Sequence, residues 1–196
     1  MNLSFRVASF AFGLLAGLTA AEASEPLADE ALIQALQQGG LVIAFGQSEA
    51  TAAHLESCTL PRVDRAGLEQ VSEAFRRLQI PVGLVVTSRL CPTREAAALA
   101  FGFAVVTDDL EPPQASDRMS AHLGGPVPAG ENRVLMTQAE VLRGVSGLGA
   151  SDLQAGEAVV VAPQEDGSFR LVTRLSVDRW VALSGGIKVQ RRAEAV

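Results

Sequence analysis

The chain has 196 residues, a formal net charge of −6 and 48% hydrophobic residues. An acidic chain without a cluster of Lys and Arg is a poor candidate for binding nucleic acid or an anionic membrane surface. The length fits one folded domain with a proper core, and no internal repeat or low-complexity tract is present.

The first residues have the pattern of a secretory signal peptide. Arg6 supplies a positive charge, an apolar stretch runs over Val7–Leu18, and Ala21 and Ala23 form an A-x-A site. A retained membrane anchor is the alternative, but the stretch has about 12 residues, and a bilayer-spanning helix needs roughly 20. We expect cleavage after Ala23.

Cleavage there leaves residues 24–196 as a single domain, in the periplasm or secreted, with no membrane attachment. The removed segment carries one charge of each sign, so the net charge stays near −6.

Apolar spacing and turn residues then predict alternating helices and strands. In chain order they are a helix over 29–38, a strand over 41–45, a helix over 64–80, a strand over 82–88, a helix over 92–101, a strand over 132–137, a helix over 139–146, a strand pair over 156–163 and 168–175, and a short helix over 176–184.

Several boundaries rest on particular residues. Asp64 is a plausible N-cap of the second helix, and Pro81 ends that segment. Asp166-Gly167 is a turn signal between the two late strands. The Pro-, Gly- and Asp-rich middle, over 107–130, is read as loops around at most one short helix.

This alternation predicts an α/β fold with a mostly parallel sheet, covered on both faces. Three strands would then end at one rim of the sheet, where open α/β sheets bind ligands. The three ends are Phe45-Gly46-Gln47, Thr87-Ser88 and Thr137-Gln138.

Cys58 and Cys91 are the two cysteines, and they lie 33 residues apart. In an exported chain such a pair predicts a disulfide, although two thiols, one of them reactive, are an alternative. His54 and Cys58 share a short segment, but two ligands do not complete a tetrahedral site. We therefore expect no metal and no cofactor.

The order of segments resembles the histidine phosphatase (phosphoglycerate mutase-like) superfamily, in its small exported bacterial branch. The stretches that carry the resemblance are "QQGG" before the first strand, "LPRVDRAGLEQVSEAFRRLQIPVGLVVTSRLCPTREAAALAFG", "NRVLMTQAEVLRGVSG" and "GEAVVVAPQEDGSFRLV". The resemblance covers nearly the whole of residues 24–196. It implies a three-layer αβα sandwich with an antiparallel C-terminal hairpin.

The resemblance also implies a phosphoryl-transfer site of two histidines and two arginines. A neutral imidazole attacks, while the guanidinium groups hold the phosphate oxygens. In this chain the first Arg and the nucleophilic His correspond to Gly46 and Gln47. The second Arg corresponds to Pro92 and the second His to Gln138. All four functional side chains are replaced.

Nearby residues do not restore that chemistry. A carboxamide is a poor nucleophile, although it both donates and accepts hydrogen bonds. Arg94 follows the second Arg position by two residues, which turns it about 200° away on a helix. The proton donor of the family would fall in the region of Asp108, Asp109 and Glu111.

Three functions are open at this stage. The first is a catalytically inactive pseudophosphatase whose pocket binds a small polar ligand or a protein partner. Its pocket would include Gln47, Gln138, Thr87 and Ser88, with Glu49 and Glu140 making it acidic.

The second function is an active phosphomonoester hydrolase with displaced chemistry, using His54 or His122. The third is a structural role without a ligand.

Overall fold

The structure is a computed structural model that describes residues 28–48, 58–60, 62–111 and 115–185. The predicted signal peptide and the candidates Glu49 and His54 lie outside the described residues. Within them, no helix is long and apolar enough to cross a membrane.

Six helices and six strands are present in the described part of the chain. The helices are α1 (Asp29–Gln38), α2 (Arg62–Arg77), α3 (Cys91–Phe101), α4 (Ala115–Gly124), α5 (Ala139–Arg143) and α6 (Val177–Leu183), and a 3-10 turn covers Asp108–Leu110. The strands are β1 (Val42–Gln47), β2 (Val82–Ser88), β3 (Val105–Thr107), β4 (Asn132–Gln138), β5 (Ala158–Pro163) and β6 (Phe169–Leu175).

The strands form one sheet in the order β3-β2-β4-β1-β5-β6. Pairing is parallel between β1 and β4, between β2 and β4, and between β2 and β3. It is antiparallel between β1 and β5 and within the β5–β6 hairpin. The predicted fold class, a mostly parallel sheet with an antiparallel C-terminal hairpin, is confirmed.

Two apolar cores lie on opposite faces of the sheet, because successive strand side chains point to opposite sides. Ile43 and Phe45 of β1 pack with residues of α1, α2, α3 and α6. Val42 and Ala44 pack with residues of α4 and α5 on the other face. Helices therefore cover both faces, which gives the three-layer arrangement.

The buried side-chain amide of Asn132 connects several elements by hydrogen bonds. Asn132, at the start of β4, donates through Nδ2 to the carbonyl oxygens of Leu36 (2.7 Å) and Pro81 (2.9 Å). Its Oδ1 accepts from the backbone N–H of Leu41 at 3.2 Å. The amide thus joins the end of α1 to the starts of β1, β2 and β4.

The structure differs from the predicted elements in several places. The second helix begins at Arg62, so Asp64 lies in its first turn rather than at the N-cap. The helix α5 ends at Arg143, before Gly144, instead of reaching position 146. The strand β3 has no counterpart among the predicted elements, because a three-residue edge strand has too short a pattern to recognise, and the 3-10 turn lies at the start of the predicted loop region 107–130.

Candidate functional site

The three predicted strand ends lie side by side. Gly46 pairs with Thr137 and Gln47 pairs with Gln138 in the parallel register of β1 and β4. Thr87 of β2 pairs with Met136 on the other side of β4. The carboxyl ends of β2, β4 and β1 therefore form one rim, as the sequence predicts for an α/β ligand site.

Gly46 is enclosed at this rim. A Cβ atom at position 46 would lie 3.0 Å from the Cα atom of Ala139 and 3.0 Å from Cδ2 of Leu153. Its backbone N–H donates to the carbonyl oxygen of Glu157 (2.9 Å), and its own carbonyl accepts from the N–H of Gly156 (2.7 Å). Ala139 and Leu153 thus occupy the space that a side chain at position 46 would enter.

Gln47 points to the opposite face and is buried, with 3% of its surface exposed. It lines a cavity of about 70 Å³, and within the described residues its Nε2 atom has no hydrogen-bond partner. The other lining residues come from β1, α2, the loop before β5 and α6; they are Phe45, Asp64, Gly67, Leu68, Val71, Ala155, Gly156 and Val177.

Asp64 is the charged residue of this cavity. Its Oδ1 accepts a hydrogen bond from Ser48 Oγ at 3.0 Å, which joins the first turn of α2 to the end of β1. The cavity therefore combines apolar walls, an unpartnered amide donor and a carboxylate. Sequence reasoning missed Asp64 as a site residue, because its position at a helix start suggested capping instead.

Side-chain hydrogen bonds connect the end of β2 to the start of α3. Ser88 Oγ and Thr93 Oγ1 lie 2.6 Å apart, and Thr93 Oγ1 also donates to the carbonyl oxygen of Leu90 (2.7 Å). Both side chains are buried. Pro92, at the second position of α3, is buried beside them and carries no polar side chain. Ser88 therefore stabilises the β2–α3 turn rather than facing a ligand.

The remaining predicted rim residues do not line the Gln47 cavity. Gln138 is half-buried and precedes α5 without a side-chain cap. Thr87 is buried, and its Oγ1 is without a partner among the described residues. Glu140 is exposed in the first turn of α5. Of the predicted pocket residues that the structure describes, Gln47 alone lines this cavity.

A disulfide between Cys58 and Cys91 is present, as predicted, with Cα atoms 5.0 Å apart. Cys91 is the first residue of α3, directly before Pro92. The bond therefore ties the short segment 58–60, which precedes α2, to the start of α3.

His122, the described member of the two candidate histidines, is paired outside the cavity. Its Nε2 lies 3.1 Å from Oδ2 of Asp109, and Oδ1 of that carboxylate lies 3.5 Å from Arg118 Nη1. Neither His122 nor Asp109 lines the cavity at Gln47.

Asp108 and Glu111, the other two residues of the proposed donor region, form ion pairs with Arg89. Arg89 Nε lies 2.9 Å from Asp108 and 3.2 Å from Glu111. These bonds raise the pKa of Arg89, chiefly through its hydrogen bond to Glu111. In the described part of the chain, no group of three His, Cys, Asp or Glu side chains could hold a metal ion.

Solved structures with this architecture include the protein histidine phosphatase SixA complexed with tungstate. Its TM-score is 0.59 at 12% identity, over 70% of this chain and 97% of that chain. The chain has the histidine phosphatase fold. SixA of Agrobacterium tumefaciens shares it, with a TM-score of 0.54 at 13% identity over 70% of this chain and 97% of that chain. No protein-family model and no curated protein sequence matches the chain.

Proposed function

We propose that the protein is an exported, catalytically inactive member of the histidine phosphatase family, a pseudophosphatase that binds a small polar group instead of transferring phosphate. The observation that supports this most directly is the packing at Gly46. Ala139 and Leu153 fill the space where the resemblance requires a phosphate-binding Arg. The proposed loss of the phosphate-binding Arg therefore involves the packing around position 46 as well as the residue itself.

Charge at the site supports the same proposal. The positions that resemble the catalytic and phosphate-binding residues carry Gly46, Gln47, Pro92 and Gln138, which are uncharged. The charged side chain of the neighbouring cavity is the carboxylate of Asp64. An oxyanion such as the tungstate of the SixA complex would meet repulsion there, and the described residues that line the cavity include no Lys or Arg to compensate it.

The cavity defines the size and polarity of a bound group. A cavity needs roughly 10 to 15 Å³ of such volume to hold one water molecule, so about 70 Å³ accommodates a small group of atoms. Small-molecule sites typically enclose about 300 to 1,000 Å³. The cavity therefore suits the tip of a ligand or of a partner's side chain, neutral or cationic, that accepts a hydrogen bond from Gln47 or donates one to Asp64.

The proposed export agrees with the presence of a disulfide, since disulfides persist mainly in oxidising compartments. Expression of the full chain in a Gram-negative host tests it. We expect the protein in the periplasmic extract, with Ser24 as its first residue by mass spectrometry. Recovery of the unprocessed chain in the membrane fraction would contradict export with cleavage.

Hydrolysis of an aryl phosphate between pH 4 and 8 tests the inactive state, with the purified processed chain and its Gln47→Ala and His122→Ala variants. We expect no turnover above the buffer rate from any of them. Turnover that survives Gln47→Ala and is lost in His122→Ala would instead support the alternative, an active phosphomonoester hydrolase with displaced residues.

A restored variant tests whether the family positions are assigned correctly. It carries Gly46→Arg, Gln47→His, Pro92→Arg and Gln138→His, and a second version adds Ala139→Gly and Leu153→Ala to make room. We expect phosphohistidine formation only in the version with the added space, because Gly46 is enclosed. Phosphohistidine formation in the first version, which lacks Ala139→Gly and Leu153→Ala, would contradict the packing argument.

Binding at the cavity is tested with small amides, alcohols and amines by thermal shift and NMR titration. We expect shifts centred on Gln47 and Val71, lost in Gln47→Met. Shifts that persist in Gln47→Met would place binding elsewhere and favour a structural role for the cavity.

A further inference from the structure

A second concave site lies between α3 and the part of the sheet that β2 and β3 form. It is a cleft of about 240 Å³, and the residues that line it are Thr87, Arg94, Glu95, Ala98, Gly102, Phe103, Ala104 and Val106. A cavity needs roughly 10 to 15 Å³ of such volume to hold one water molecule. The cleft therefore accommodates a small organic molecule.

The cleft results from a small residue of α3 and from the glycine that follows this helix. Ala98 is exposed in the cleft and carries only a methyl group, so the helix leaves space beside β3. Gly102 adopts a φ of 78°, which favours glycine, and its N–H donates to the carbonyl oxygen of Ala98 at 2.9 Å. This turn returns the chain along the cleft and brings Phe103 into its lining.

A buried hydroxyl lies in the cleft. Thr87 of β2 pairs with Val106 of β3 in parallel register, so both side chains lie on the face of the sheet that α3 covers. Thr87 has 0% of its surface exposed, and its Oγ1 atom has no hydrogen-bond partner among the described residues. Buried polar groups are ordinarily hydrogen-bonded, and a polar group bound in the cleft would supply the partner.

Two opposite charges lie beside this hydroxyl. Arg94 and Glu95 are consecutive residues of α3, and both are exposed. Neither side chain forms an ion pair with another described residue. A simple anion would be attracted by Arg94 and repelled by Glu95, and a simple cation would meet the reverse. A ligand that carries one charge of each sign, close together, would be attracted by both.

Apolar side chains complete the lining of the cleft. Phe103 is 50% exposed and Val106 is 46% exposed, and both line the cleft. Ligand sites combine such apolar surface with a few polar groups at fixed positions. An apolar group bound against Phe103 and Val106 would remove this surface from water.

We propose that the cleft binds a small zwitterion with an apolar group, in the chemical class of a free apolar α-amino acid. Its carboxylate pairs with Arg94 and accepts a hydrogen bond from Thr87 Oγ1, while its ammonium group pairs with Glu95. Its side chain packs against Phe103 and Val106.

This site does not depend on the proposed pseudophosphatase function. The strand β4 lies between β2, which carries Thr87, and β1, which carries Gln47. Neither Gln47 nor Asp64 lines the cleft.

NMR titration of the isotope-labelled processed chain with L-leucine tests the proposal. We expect saturable shifts centred on Ala98, Gly102 and Val106. N-acetyl-leucine lacks the ammonium charge and leucinamide lacks the carboxylate, so each should bind about threefold more weakly or worse. Equal binding of all three compounds would overturn the proposal, as would shifts centred on the Gln47 cavity.

Single variants match each charge of the ligand to its partner. Arg94→Gln should weaken the binding of leucine and N-acetyl-leucine but not of leucinamide, which has no carboxylate. Glu95→Gln should weaken the binding of leucine and leucinamide but not of N-acetyl-leucine. Arg170→Gln on β6 and Glu165→Gln at the β5–β6 turn remove the same charges at exposed positions elsewhere and should leave leucine binding unchanged.

Thr87→Val removes the buried hydroxyl and keeps the size of the side chain. It should weaken leucine binding by about threefold or more. It should also raise the melting temperature of the ligand-free protein, because a buried hydroxyl without a described partner is lost. A lower melting temperature with unchanged leucine binding would show that this hydroxyl is satisfied within the protein and has no role in the cleft.

Two further results overturn the proposal as a whole. The first is a native chain that shows no saturable binding of leucine or of any other apolar α-amino acid. The second is leucine binding that Thr87→Val, Arg94→Gln and Glu95→Gln all leave unchanged.

Discussion

Gly46 lies against Ala139 so closely that a Cβ atom at position 46 would be 3.0 Å from the Ala139 Cα atom. The contact joins the end of β1 to the first residue of α5. Leu153 closes the same space from the loop before β5. Position 46, which the family resemblance aligns with a phosphate-binding Arg, is therefore part of the packed interior.

This contact predicts the effect of adding a small side chain at position 46. Gly46→Ala should lower the free energy of unfolding by about 1 to 3 kcal/mol, the usual effect of overpacking. Urea denaturation measures this change. Ala139→Gly in the same chain should recover part of the loss, beyond the effect that Ala139→Gly has alone. Additive effects of the two substitutions would contradict direct contact.

Two buried amides should respond in opposite ways to apolar replacement. Gln47→Met removes a donor that has no partner among the described residues and should raise the free energy of unfolding by about 1 kcal/mol. Asn132→Leu, the matched control, removes three hydrogen bonds and should lower it by about 2 to 4 kcal/mol. Equal losses in both variants would show that Gln47 is satisfied in the folded protein.

The disulfide should contribute strongly to stability. Replacing Cys58 and Cys91 together by Ser should lower the free energy of unfolding by roughly 3 to 4 kcal/mol in the chain-entropy model. The native chain in reducing agent should show a similar loss of urea midpoint, and the double variant should be insensitive to the reagent. Two reactive thiols in the oxidised native chain would contradict the bond.

The hydrogen bonds of Arg174 to two carboxylates predict part of the loss of stability at low pH. It donates to Asp152 (2.6 Å) and Glu157 (2.8 Å), and its hydrogen bond holds the pKa of Asp152 below the ordinary value. A lowered folded-state pKa stabilises the protein above the unfolded-state pKa, and the contribution disappears as pH falls through the folded value.

We therefore expect stability to fall below about pH 4, the ordinary Asp pKa, and to fall less steeply in Arg174→Met. Arg170→Met, at an exposed position on the same strand, is the control and should keep the native slope. Urea unfolding at a series of pH values gives the slopes. Identical slopes for native and Arg174→Met proteins would contradict this assignment.

The rim of the sheet was predictable because its strands have strong local patterns. The segments ending at Gln47, Ser88 and Gln138 are apolar and end abruptly in polar residues. Parallel strands then require these ends to meet at one edge. The predicted disulfide followed equally from cysteine number and expected export.

The cavity itself was not predictable from those patterns. Its walls combine Asp64 and Val71 of α2 with Gly156 and Val177, which are distant in sequence. The enclosure of Gly46 likewise depends on Ala139 and Leu153, whose approach no local signal encodes. Contacts between residues distant in sequence thus determine the size and lining of the cavity at the rim.

Calorimetric titration of the processed native chain with tungstate tests the central claim most directly, because an intact phosphate site binds such an oxyanion. SixA, titrated in parallel, is the positive control. The account predicts no saturable heat for the native chain at pH 7, given the uncharged positions 46, 47, 92 and 138. Stoichiometric tungstate binding that Gln47→Ala abolishes would contradict it.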